Sequence, residues 1–357
     1  MANLNLNVLN RYTSYDWQNA GANSRKMIGA ALSALGQRDI PEFLDSVKRK
    51  AAIVTFLAGS ATRWVDSVEK AKARGDAANV DITKPRCLAP VPDILHKGLT
   101  VPLGLYNLRA IAGIGTPVLV YKRNLLDILY MARLARNDFT LLHDQVFGKD
   151  NQPLGHGDAL RQLLPMLSPS IEYIVTVFGG DVTRRDTVIA SLLTLIAMQD
   201  LRANRPAAIL PVTCMREPKY PITMSDKGSP LQFGHTKLTG AGRTDKRAPS
   251  NVGIRVYNRT DVQAVVSEIF SRHFDPDNGY SIPGNKTNEF ALDNVDQVLA
   301  QQGSIRVLNI CANEEITGSV KIWPDVPAFI EAQSVMLKSS GSRYSRNPLR
   351  TVIRLNY

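Results

Sequence analysis

Cysteine is scarce: Cys87, Cys214 and Cys311 stand far apart in 357 residues, odd in number and in no CxxC pair. That spacing excludes a disulfide framework or a zinc knuckle, and buried, reduced thiols are expected. Long apolar runs are missing as well. The longest, VIASLLTLIAM from Val188 to Met198, has 11 residues, about half of the roughly 20 that a membrane-spanning helix needs. A buried helix is expected there, and no membrane partner. The opening MANLNLNVLNRY has no cationic segment followed by an apolar one, so no secretory signal is expected. Aromatic residues are only 7% of the chain, few for stacking platforms. Acids are in deficit too, with 32 Asp and Glu against 43 Lys and Arg, a formal charge of +11. That surplus favours polyanionic partners, nucleic acid above all.

Motifs that name a chemistry are also missing. GAGRTD places Asp245 where a dinucleotide-binding turn needs its third glycine, and GIGTPV from Gly113 places Val118 there, with Pro117 interrupting the helix start. Neither matches a P-loop. The five histidines, at 96, 143, 156, 235 and 273, show no HExxH or HxH spacing. DPDNGYSIPGNK starts as a calcium loop does, but Gly279, Tyr280 and Lys286 occupy positions that need oxygen ligands or the loop glycine, so it reads as a turn. No GxSxG is present, and no cysteine is tied to a nearby base. No catalytic residue, metal ligand or cofactor is assigned, and an enzyme is not expected.

What remains is a globular composition, 44% hydrophobic and 21% charged. Leu4, Leu6 and Val8 alternate with asparagine, which is strand-like. From Pro41 to Gly75 an apolar stripe through Phe43, Leu44, Val47, Ala51, Val54, Leu57 and Ala58 predicts one long helix, with Lys48, Arg49 and Lys50 on its polar side. Four prolines between 76 and 105 suggest an extended arm held by Ile82, Leu88, Val91 and Leu95. Helices are expected over 125–136 and 158–167, a strand over SIEYIVTVF, and a helix from the region of Asp181 and Thr183 to Asn204. The last hundred residues read as a strand (VGIRVYN), a helix (DVQAVVSEIFSRHF), an inserted helix (ALDNVDQVLAQQ), strands (GSIRVLNIC, TGSVKIW), a helix (DVPAFIEAQSVMLK) and a final strand (LRTVIRLNY).

The expected fold is therefore α+β. It has a helix-rich N-terminal half over residues 1–213, including the arm 76–105, and a basic Gly/Pro-rich loop at 214–251. Residues 252–357 form a ferredoxin-like βαββαβ sheet with helices on one face.

The positive excess is concentrated. Arg216 to Asn251 holds seven Lys or Arg against three acids, and Lys338 to Tyr357 holds five cations and no acid. Alternation in LRTVIRLNY puts Arg350 and Arg354 on one side of a strand, and Arg255 and Arg306 sit similarly among apolar neighbours. Guanidinium forks suit phosphate oxygens. The residues expected to hold nucleic acid are Lys237, Arg243, Lys246, Arg247, Arg343, Arg346, Arg350 and Arg354. The aromatic RNP1 pattern is absent, so contacts should track the backbone without reading sequence.

A basic, cofactor-free chain with long arms resembles in architecture a self-assembling subunit of viral capsid or nucleocapsid type. The expectation is a protein of the virion or cytoplasm that partners itself and packages nucleic acid, RNA rather than DNA. A CRISPR-type backbone subunit polymerising on guide RNA is one alternative, and an enzyme without a motif-level signature is another.

Overall fold

Asp39 and Pro41 open a helix at the point where the sequence favours one. The Asp39 carboxylate accepts the Glu42 N–H at 3.0 Å, and Phe43, Leu44 and Val47 are buried. The helix stops at Val47, and after the exposed turn Lys48 to Lys50 the six residues Ala51–Phe56 form a fully buried strand. The long helix expected from Pro41 to Gly75 is thus corrected. A strand covered on both faces shows an unbroken apolar run, and AAIVTFL overlaps the helical stripe at the same positions.

The computed structural model describes residues 24–57, 69–70, 72–73, 86–88, 90–92, 100–121, 125–135, 141–144, 154–200, 205–216, 222–224, 230–233, 247–285 and 287–309. Among these, eight helices are α1 (Ser24–Ala34), α2 (Ile40–Val47), α3 (Leu103–Ile111), α4 (Leu125–Leu134), α5 (His156–Leu163), α6 (Arg185–Asp200), α7 (Arg259–His273) and α8 (Leu292–Gln301). The strands are β1 (Ala51–Phe56), β2 (Pro90–Pro92), β3 (Thr100–Pro102), β4 (Thr116–Tyr121), β5 (Leu141–Asp144), β6 (Tyr173–Phe178), β7 (Ala208–Arg216), β8 (Ile222–Met224), β9 (Pro230–Phe233), β10 (Arg247–Asn251), β11 (Ile254–Asn258), β12 (Phe274–Asp275), β13 (Gly279–Tyr280) and β14 (Ile305–Asn309).

Eight of these strands make one mixed sheet. Its lanes run β5, β4, β1, β6, β11, β7, β14, with β10 extending the lane of β11 along β7 past a break at Val252 and Gly253. Neighbours among β5, β4, β1 and β6 are parallel, as are β7 and β14; the β10/β11 lane runs against the rest. Three antiparallel ribbons, β2 with β3, β8 with β9 and β12 with β13, lie outside it.

Alternation along each strand divides the core in two. Ile53, Leu119, Val175, Ile209 and Val256 face α1, α3, α4 and α6, whereas Val54, Val118, Ile174, Leu210 and Tyr257 face α5, α7 and α8. From β1 to β7 the strands of the shared sheet are joined through the helices α3, α4, α5 and α6 in turn. Helix α6 carries the expected buried run from Val188 to Met198, and among the described residues no helix is long and apolar enough to cross a membrane. Since α4 and α6 cover the same face while β4→α4→β5 and β6→α6→β7 run in opposite directions along the sheet, these two crossovers have opposite hands.

Of the expected C-terminal unit, the first strand, its helix, the inserted helix and the second strand are β11, α7, α8 and β14. Both helices lie on one face, but β11 and β14 run in opposite directions on either side of β7. They join the larger sheet, and the ferredoxin-like arrangement is not confirmed. TGSVKIW, DVPAFIEAQSVMLK and LRTVIRLNY fall outside the described residues, as do the N-terminal strand-like segment and most of the arm.

Candidate functional site

Most of the cations singled out from the sequence lie outside the described residues: Lys237, Arg243, Lys246, Arg343, Arg346, Arg350 and Arg354. Arg247 opens β10, where its backbone is in register with Arg216 of β7. The two other strand arginines are described and differ from expectation. Arg306 is half-buried and donates to the carbonyls of Gly303 at 2.8 Å and Ile305 at 3.0 Å, with burial pulling its pKa down. Arg255 is buried, 2% exposed. Its alternation with apolar neighbours marks a face that another layer covers, and α8 supplies carboxylates to receive it.

The arrangement around Arg255 begins with those carboxylates. Asp293 and Asp296 are three apart on α8 and so share one side of it. Arg255 Nε donates to Asp296 Oδ2 at 2.6 Å, Nη2 donates to Asp293, and the Tyr257 hydroxyl donates to Asp296 Oδ1 at 2.7 Å. Burial alone would lower the Arg255 pKa, but the two carboxylates more than offset it and hold the guanidinium protonated. Burial holds the Asp296 carboxyl above its usual range despite Arg255, with Asp293 adding to the rise. Burial, then Asp296, push the Tyr257 phenol up. One guanidinium nitrogen, Nη1, has no partner, and neither does the buried Oγ1 of Thr176, which sits opposite Arg255 in the β6–β11 register. The buried Asn251 Nδ2 is unpartnered as well, although its Oδ1 accepts the Gly253 N–H at 2.7 Å. Buried unpaired polar atoms are uncommon and mark places where a fold is not optimised for stability alone.

These groups lie near the carboxyl ends of β1 and β6, where the strand order reverses. The rings of Phe56 and Phe178, the last residues of those strands, stack at 5.7 Å. His156, first residue of α5, meets both edge-on at 5.1 and 4.6 Å. The Arg255 guanidinium lies 5.4 Å from the centre of the Phe178 ring. Gly179 follows β6 against the exit of β1, where a Cβ would come 2.3 Å from Leu57 Cδ2 and 3.0 Å from the Phe56 carbonyl oxygen.

The turn that leaves β6 is held from α3. Asn107 is buried; its Nδ2 donates to the Asp181 carbonyl at 2.7 Å and more weakly to that of Gly179 at 3.4 Å, and its Oδ1 accepts the Thr183 N–H at 2.9 Å. This clamp exists because α6 leaves β6 over the face that α3 already occupies. Gly253, at φ +81°, comes close to the Asp181 carboxylate, which leaves no room for a side chain.

A second buried polar cluster sits further along α5. Asp158 receives the Tyr280 hydroxyl and, at 2.8 Å, Arg161 Nε, and burial followed by Asp158 pushes the Tyr280 phenol up. It ties the β12–β13 ribbon to α5. Within that ribbon Asp275 Oδ1 accepts the N–H groups of Asp277 at 2.9 Å and Asn278 at 2.8 Å, the turn expected of DPDN. Among the described residues no group of His, Cys, Asp and Glu could hold a metal ion.

Asn107, His156, Phe178 and Arg255 were not legible as a group in the sequence. The available signal was Gly179–Gly180 directly after an apolar strand and before a helix, the pattern of a βα turn. No protein-family profile and no curated protein matches this chain.

Proposed function

We propose that the chain binds a small-molecule ligand of nucleotide type at the carboxyl ends of β1 and β6, and that its cationic surplus draws it to nucleic acid. One observation carries the reading. In the order β5, β4, β1, β6 the chain leaves β1 towards β4 and leaves β6 towards β7, in opposite directions along the sheet. Open α/β sheets bind their ligands outside the strand carboxyl ends at such a reversal. The chemistry on hand is donor-rich: Arg255 and Asn251 carry unpartnered N–H groups, and His156 is the imidazole beside the two strand ends.

The test is a melting-temperature screen of purified protein with ATP, GTP, NAD+, NADP+ and S-adenosylmethionine, repeated with His156→Ala. A ligand at about 100 times its Kd adds roughly 2.7 kcal/mol, a shift of a few degrees. At least one compound should give that shift, and the variant should lose it. No shift from any of them counts against the reading.

A second reading keeps the packaging role, with the helix-rich and ferredoxin-like halves that go with it, and an excess of 11 positive charges favours it. Particles that protect nucleic acid from nuclease during purification support packaging. A nucleic-acid-free monomer counts against it.

A further inference from the structure

We draw no further inference here: the strongest candidate, the buried side-chain cluster of Arg255, Thr176 and Asn251 near the carboxyl ends of β1 and β6, belongs to the site already described.

Discussion

Replacing Arg255 by methionine removes a buried guanidinium with little change of volume, and the structure indicates how much this should destabilise the fold. Asp296 has no solvent access, and without Arg255 its remaining donor is the Tyr257 hydroxyl at 2.7 Å. Breaking a buried ion pair on one side costs about 3–5 kcal/mol, mostly because the other charge is left uncompensated. With a urea slope of about 3 kcal/mol/M, a loss of about 4 kcal/mol moves the unfolding midpoint by roughly 1.3 M. The loss should depend on pH in a defined direction. The Asp296 carboxyl is already held above its usual range, by burial first, and losing the guanidinium raises it further. Between the unfolded pKa and that raised value the folded state holds the extra proton, so stability rises as pH falls through the window. The variant's deficit should be larger near pH 8 than near pH 5. Changing Asp296 to asparagine in the same chain should recover most of it. Urea titrations of the three chains at both pH values are sufficient. A deficit below about 1 kcal/mol, the size seen for surface pairs, or one that is flat with pH, would refute the argument that the pair is buried and mutually dependent.

Three further outcomes follow from other contacts. Asn107→Ala removes the side chain that donates to the Asp181 carbonyl and accepts from the Thr183 N–H; a loss of about 2–4 kcal/mol and faster amide exchange over residues 179–183 are expected in hydrogen-exchange measurements. Gly253→Ala forces a Cβ to within 2.6 Å of Asp181 Oδ2 at a left-handed φ of +81°; thermal melts should show a loss of about 1–3 kcal/mol. Changing Arg243, Lys246 and Arg247 together to Glu should weaken retention of nucleic acid and flatten its dependence on salt, and an unchanged slope in filter binding would assign that loop to protein contacts instead.

Local pattern was enough for the elements whose signal is local. The strand ending at Phe178, the buried helix through Val188 to Met198, and the series β11, α7, α8, β14 are legible because alternation, helical periodicity and flanking Gly or Asn are properties of consecutive residues. Sequence pattern failed at β1, where a strand buried on both faces shows the same apolar continuity as a helix, and only its neighbours β4 and β6 distinguish the two. It failed again at Arg255. Alternation assigned the side chain to a face but could not say whether that face meets water or Asp293 and Asp296, 38 and 41 residues away. The order of strands, the shared face of α3 and α6, and the grip of Asn107 on a turn 74 residues downstream belong to tertiary structure alone. The physical reason is that such contacts form wherever packing both faces of the sheet happens to bring their partners, and that choice depends on the burial of the whole chain rather than on any stretch of it.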